Sequence, residues 1–323
     1  MRRAADPVYA IEPYVLSAGA GSAGYAYPSK PVRYIVPFGD GPTATQAHWL
    51  AGRLGPALGQ PVVVETHPGA SGVNGTARVA GAAPDGYTLL AANPGPLTVA
   101  PNLGRNVGYD SLRDFSPIVL MATVASVIAV HAGVPARDLG ELMALARAQH
   151  GRLRYGSPGV GTVGHLALEL FQHLGGIRMT HLPREGLSEA IPELIAGLFD
   201  VLVIPVPDAY PLARDGRIRA LAATKRARCA SWPELPTADE AGVPGFESFN
   251  WNGVAAPAGT PRHIVERINA GINSVLRSAE GREYFVGRGY DISGGTPEAF
   301  AAFLRSEHDK WGKVARLAGI ATN

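Results

Sequence analysis

Tyr155-Gly-Ser-Pro-Gly-Val-Gly-Thr-Val-Gly-His165 runs directly into Leu166-Ala-Leu-Glu-Leu-Phe171, and this junction decides the fold. The first part is a glycine-rich loop. The second part reads as a helix, because Leu166, Leu170 and Leu174 fall four apart on one face. Thr162 suits the N-cap. The open N–H groups of a first helical turn carry roughly half a positive charge between them. Glycine lets an anion approach such a backbone closely. The loop is therefore a seat for a phosphate or a carboxylate, or else a βα turn that is merely rich in glycine.

The same pattern recurs upstream. Val32-Arg-Tyr-Ile-Val36 is a β-rich run, and Pro37-Phe-Gly-Asp-Gly-Pro-Thr43 is the loop after it. A helix is expected from Thr43, as cap, to Leu58, with a stop at Gly59. Pro61-Val-Val-Val-Glu65 is a second strand, followed by Pro68-Gly-Ala-Ser-Gly-Val-Asn-Gly-Thr76 and a short helical stretch. Tyr87-Thr-Leu-Leu-Ala-Ala92 is a third strand, ending in Asn93-Pro-Gly-Pro96. Strands that alternate with helices predict a largely parallel sheet, whose ligands bind beyond the carboxyl ends of the strands.

Downstream, Ile118–Val130 is a long apolar run that could carry the chain between domains. Strands are expected at Leu153–Tyr155, Ile177–Leu182, Asp200–Val206 and Arg219–Ala223. Helices are expected at Leu139–Gln149 and Ser188–Ala196. A Pro-punctuated connection, Arg226–Phe246, leads to a strand at Asn250–Ala256. Helices follow at Ile264–Ser278 and Pro297–Leu317, the second with Phe300, Phe303, Leu304 and Trp311 inward.

Bulk properties narrow the classes. A chain of 323 residues is long enough for two domains, each with a core. A net charge of +2 and the lack of any Lys/Arg-rich block argue against a nucleic-acid partner. The single Cys229 excludes an internal disulfide and any multi-cysteine metal site. No run of 18 apolar residues suggests a membrane span. Segment 1–26 reads as an atypical signal peptide. Arg2-Arg3 and Gly24-Tyr25-Ala26 suit one, but Asp6, Glu12 and Pro13 interrupt its apolar core, and a tail or a misplaced start codon is the alternative.

Among chemical motifs, His165 and His173 are too far apart to share a metal, and no metal site is expected. His181 reads as structural. No nucleophile elbow and no phosphate-loop lysine follow the glycine loops. One motif argues for an enzyme. Gly159-Val-Gly-Thr-Val-Gly164 fits Gly-x-Gly-x-x-Gly, with Glu185 about 20 residues on, so a dinucleotide loop of an NAD(P)-dependent oxidoreductase is the rival reading. Against it, Ser157-Pro158 separates the strand from the first glycine, and no catalytic set accompanies the motif.

Ordered motifs carry a resemblance. Tyr27-Pro-Ser-Lys-Pro31 with Ile35-Val-Pro-Phe38, Gly59-Gln-Pro-Val-Val-Val-Glu65, Pro68-Gly-Ala-Ser-Gly72 and Ala83-Pro-Asp-Gly-Tyr-Thr-Leu89 resemble the Bug family. So do Tyr109-Asp110, Asp114-Phe115, the 155–165 loop, Arg219-Ala-Leu-Ala222, Trp251-Asn-Gly253 and Ala256-Pro-Ala-Gly-Thr-Pro261. These are substrate-binding proteins of tripartite tricarboxylate transporters, and the likeness runs from about residue 27 to Ile320.

The resemblance implies an α/β, type II periplasmic binding protein with two lobes and a ligand cleft between them. It implies a non-enzymatic, extracytoplasmic (periplasmic) protein without a cofactor. Such a protein captures a small organic anion, often a di- or tricarboxylate, for membrane transporter subunits or a sensor. The expected lobes are residues 27–127 with 225–323, and 128–224, with hinges near Ala125–Val130 and Ala222–Arg226. The expected ligand set is Phe38, Gly41, Thr43, Ser71, Gly72, Asn74, Gly95, Ser157, Gly161, Thr162, His165 and Arg184, in a monomer. Carboxylates only accept hydrogen bonds, and backbone N–H groups with the hydroxyls of Ser71, Ser157 and Thr162 supply donors.

Three departures from the family pattern bear on the ligand. Gly39-Asp-Gly-Pro-Thr-Ala44 is about one residue short and has Ala44 where the family has Asp. Pro183-Arg-Glu-Gly186 stands where the family has Pro-Tyr-Lys-Gly, and Ile204 stands where an Asp is usual. Arg184 is expected either to grip a second carboxylate in the cleft or to pair with Glu185 or face solvent. A binding protein that has lost its ligand and serves as an interaction module is a third reading.

Overall fold

The computed structural model describes residues 27–104 and 106–320. The signal-like segment 1–26 lies outside the described residues.

The first half is built on β1 (Val32–Val36), which pairs in parallel with β2 (Val62–Thr66) and with β3 (Thr88–Ala92). Helix α1 (Pro42–Leu58) connects β1 to β2, and α2 (Val73–Ala80) connects β2 to β3. Helix α1 starts on Gly41 with Pro42 in its first turn, so Thr43 is not the cap. A proline suits that position because its missing N–H would find no helical partner and its φ is already set.

The long apolar run is one strand, β4 (Phe115–His131), and it joins the two halves. Its β-branched content and lack of a turn signal keep it extended. Pro117 is accommodated where the register shifts between Pro117 and Val119. From Phe115 to Ala125 this strand pairs with β9 (Phe249–Pro257), which is antiparallel to β3 in turn. From Ser126 onward it pairs with β7 (Val201–Pro205) on one edge and β8 (Ile218–Ala223) on the other. Beyond β7 lie β5 (Arg154–Ser157) and β6 (Thr180–Pro183), all parallel. A short β10 (Asp291–Gly294) pairs with β4 near Thr123. The hydrogen-bonded path is therefore continuous, because β4 is shared, yet it curls into two halves.

Each half has its own pair of cores. On the first, α1, α7 (Arg262–Arg277) and α8 (Ala279–Val286) cover one face with Leu50, Ile268 and Phe285. Helices α2 and α9 (Pro297–Leu317) cover the other with Val79, Phe300 and Leu304 against Ile35 and Trp251. On the second, α3 (Leu139–Gln149) and α4 (Val163–Gly175) bury Leu142 and Phe171 against Val203. Helices α5 (Leu187–Ile195) and α6 (Val206–Arg214) bury Leu194 and Ala209 with Phe199 and Ile204. The connection after β8 packs on this half: Cys229, Trp232 and Leu235 join one core, and Ala238, Val243 and Phe246 the other.

Three chain crossings meet in one knot. The hydroxyl of Thr224 donates to Ser126 O at 3.0 Å and accepts from Ser126 N at 3.0 Å, and Ser248 N donates to Thr224 O at 2.8 Å. Beside them Lys225 Nζ donates to Thr123 Oγ1 at 2.6 Å and pairs with Asp291 of β10. A further apolar cluster bridges the halves, with Val163 and Leu166 of α4, Trp311, Val314 and Ala315 of α9, and Val99 and Leu103 after β3. No described helix is long and apolar enough to cross a membrane.

Candidate ligand-binding site

Parallel pairing puts the loops after β1, β2 and β3 on one edge of the first half. There Phe38, Gly72 and Pro96 touch. A Cβ on Gly72 would lie 2.9 Å from the Phe38 ring and 3.3 Å from Pro96, and Gly72 holds φ +92°. Glycine is required at this point, for space and for backbone conformation alike. The two residues before it, Ala70 (φ 47°) and Ser71 (φ 54°), also adopt the left-handed region. Consecutive strained residues of this kind concentrate at ligand clamps. Ser71 and Asn74 are exposed, and the side chain of Asn74 fills the space in front of Gly69. Thr43 Oγ1 donates to Asn93 Oδ1 at 3.4 Å, and Gly95 approaches the Ser71 carbonyl. Phe38, Gly41, Thr43, Ser71, Gly72, Asn74 and Gly95 thus all lie on the loops and first helical turns of this edge.

On the second half, β5 and β6 end side by side in parallel register, Tyr155 against His181 and Ser157 against Pro183. Ser157 is fully buried. Its Oγ accepts from Gly159 N at 3.2 Å and lies 2.7 Å from His181 Nε2. Thr162 caps α4, with its Oγ1 accepting from His165 N at 3.4 Å and donating to Gly159 O at 2.8 Å. Gly161 N donates to Nδ1 of His165 at 3.1 Å. The loop is thus folded onto Ser157, Thr162 and His165, with the first turn of α4 opening at its end.

Behind the loop sits a polar stack. The rings of His165 and His181 lie 4.1 Å apart at 13°, and Tyr155 stacks on His181 at 4.6 Å. The Tyr155 hydroxyl donates to Glu169, which also accepts from Gln172 Nε2 at 2.9 Å. Gln172 in turn accepts from Met179 N at 2.6 Å. Burial pushes both imidazoles down to about 4, and for His181 the neighbouring His165 adds to the effect while Glu169 opposes it. Burial, reinforced by Glu169, pushes the Tyr155 phenol up. At neutral pH both imidazoles and the Tyr155 phenol are therefore uncharged.

Arg184 is engaged by its own half. Its guanidinium pairs with Glu193 of α5, donates to Pro183 O at 2.8 Å and lies 5.8 Å from the centre of the Phe199 ring. Neither Glu185 nor open solvent holds it, since its side chain is 22% exposed. Its carbonyl lies beside Gly159, so β6 still contributes to the loop's wall. Ile204 is fully buried in the core.

Several participants escaped the sequence reading. His181 looked structural and Tyr155 looked like an ordinary strand residue, yet both back the loop. Their signal lies in the parallel register of two strands distant in sequence, which no local motif carries. Two surface depressions lie elsewhere. One is at the α1–β2 turn, around Gly55, Gly59 and Pro61, and the other is beside Arg219 and residues 132–137. No described group of His, Cys, Asp and Glu is arranged to hold a metal ion.

Comparison with known proteins agrees with this architecture. A Pseudomonas sp. (strain P51) protein from the tcbD-tcbE intergenic region is 38% identical over 291 residues, covering 90% of this chain and 86% of its own length. Protein BugT of Bordetella pertussis is 34% identical, covering 91% and 90%. Among solved structures, an R. palustris protein with adipate superposes with a TM-score of 0.81 at 34% identity, covering 91% of this chain and 99% of the other. MatC from Rhodopseudomonas palustris with bound malate gives 0.78 at 30%, covering 89% and 99%. The family described as tripartite tricarboxylate transporter family receptor matches residues 47–320. Its members are substrate-binding proteins, which displaces the oxidoreductase reading of Gly159–Gly164. With the two α/β halves, the shared β4 and the glycine-rich loops at the strand ends already in place, this chain belongs to the tripartite tricarboxylate transporter receptor family.

Proposed function

We propose that this chain captures a small carboxylate, a di- or tricarboxylate or a similar organic anion, between its two lobes and presents it to membrane transporter subunits or to a sensor. The observation that carries the reading is the capped N-terminus of α4 behind the Gly159–Thr162 loop, on the same edge as the open ends of β5 and β6. Amide donors and the helix dipole favour an anion there without requiring a cation. In this reading the strained 70–72 turn and Phe38, at the strand ends of the first half, supply the other wall. Adipate and malate accompany two of the related structures, which supports the same ligand class here.

The Ser126–Thr224–Ser248 knot supports a lobe division close to these residues, with residues 225–248 moving with the second lobe. The protein acts outside the cytoplasm, as its family's receptors do, and as a monomer. Thermal-shift measurement with a carboxylate panel and with NAD(P) tests the function. A ligand at 100 times its Kd stabilises by about 2.7 kcal/mol. A shift with NAD(P) and none with any carboxylate overturns the reading.

A further inference from the structure

We infer that the stacked His165 and His181 rings position the Gly159–Thr162 loop and make ligand capture take up a proton. This inference rests on the carboxylate reading above. Its geometry is that two imidazoles from different elements, α4 and β6, lie face to face at 4.1 Å, and each turns one ring nitrogen to the loop. Nδ1 of His165 accepts the Gly161 N–H at 3.1 Å, and Nε2 of His181 lies 2.7 Å from Ser157 Oγ. A ring nitrogen that accepts carries no proton, so neutral His165 holds its proton on Nε2.

The groups facing the pair can be named element by element. From β5 come Tyr155, stacked on His181, and Ser157. From α4 come Glu169 and Gln172. Glu169 lies 4.0 Å from His165 Nε2, but its Oε1 already accepts from Tyr155 and from Gln172. From β6 the next charged residue is Arg184, which is held by Glu193. No strong ion pair therefore protonates the rings in the empty protein, and burial holds both at about 4.

A carboxylate on the loop changes this balance. An opposite charge within about 4–6 Å raises an imidazole by about 1–3 pH units. A proton on Nδ1 of His165 also removes the acceptor of Gly161, whose N–H is then free to turn to the ligand. A proton on Nε2 of His181 fixes that nitrogen as the donor to Ser157 Oγ and leaves the serine proton to the Gly159 carbonyl, 3.1 Å away, so the loop is held from this side as well. Protonation and ligand thus favour each other, and linkage makes the coupling reciprocal. Affinity rises as pH falls towards the range of the rings, while the ligand itself stays ionised.

Isothermal titration of the full chain with adipate tests this. It is run at pH 7.5, 6.5 and 5.5 in two buffers of contrasting ionisation enthalpy. The expected result is heat that depends on the buffer at pH 5.5, corresponding to roughly half a proton or more taken up, with Kd at least about twofold tighter than at pH 7.5. His165→Gln and His181→Asn should each flatten the pH profile and remove the buffer dependence of the heat at pH 5.5. Adipate binding with buffer-independent heat and a flat profile in the unsubstituted protein overturns the inference, without reference to any variant. No heat with adipate or malate at any pH overturns the carboxylate reading and this inference with it.

Discussion

Ser157 Oγ lies 2.7 Å from His181 Nε2 and accepts from Gly159 N at 3.2 Å, so one buried hydroxyl ties β5, β6 and the glycine loop together. Ser157→Ala leaves a buried imidazole nitrogen and a loop amide without this partner. Such a loss costs about 1–3 kcal/mol. The variant is expected to unfold at lower temperature in calorimetry and to bind adipate at least about tenfold more weakly. Unchanged affinity at reduced stability would show that the hydroxyl supports the fold alone.

The guanidinium of Arg184 is engaged by Glu193 through Nε and by the Pro183 carbonyl through Nη1. Arg184→Ala is therefore expected to destabilise by about 1–2 kcal/mol, the range of a partly covered charged hydrogen bond. Arg184→Ala and Arg184→Lys should alter the ratio of dicarboxylate to monocarboxylate affinity less than about twofold. Titration of the three proteins with adipate and hexanoate decides this. A selective loss of dicarboxylate binding, tenfold or more, would mean that the guanidinium leaves Glu193 for the ligand.

Gly72 leaves no room for a methyl group, with the Phe38 ring 2.9 Å from the position its Cβ would take and φ at +92°. Gly72→Ala must move Phe38 and strain the turn, at a cost of about 1–3 kcal/mol. Phe38→Leu should relieve the contact and recover part of the loss, since the conformational strain at Gly72 remains. Chemical denaturation of the single and double variants measures the coupling. Additive losses would contradict the contact.

The imidazole pair also predicts an acid limit to stability. Both rings sit at about 4 in the folded protein against 6.5 as their ordinary value. The unfolded chain therefore binds more protons between those values, so stability is present above 6.5 and is lost as pH falls towards 4. The loss should be on the order of 3 kcal/mol for each ring. His165→Gln with His181→Asn should unfold with a shallower pH dependence across that window. A parallel profile would place the acid sensitivity elsewhere.

Much of the architecture was legible because it is written locally. The Gly-rich loops, the apolar strands and Thr162 as cap of α4 each rest on a few adjacent residues, and the structure has them where expected. Helix α6 was missed because Pro207 and Pro211 mimic a loop, although Pro207 falls in the helix's first turn. Helix α8 and the short β10 were missed as well. The polar backing of the loop was not legible. Tyr155, Glu169 and His181 meet only because β5 and β6 pair in register and α4 folds back over them. The engagement of Arg184 was misjudged for a similar reason, since Glu193 reaches it from the following helix rather than from the adjacent position.

Mapping of backbone amides during a titration with adipate tests the location of the ligand most directly. With isotope-labelled protein, the account predicts saturable shifts at Gly161, Thr162, Val163 and Gly164, and at Gly72 and Gly95 on the facing lobe. Amides around Gly59, and around Gly133 near Arg219, should stay still. Shifts confined to either of those outer depressions, with the 159–164 amides unmoved, would contradict the claim that the glycine loop and the start of α4 form the carboxylate seat.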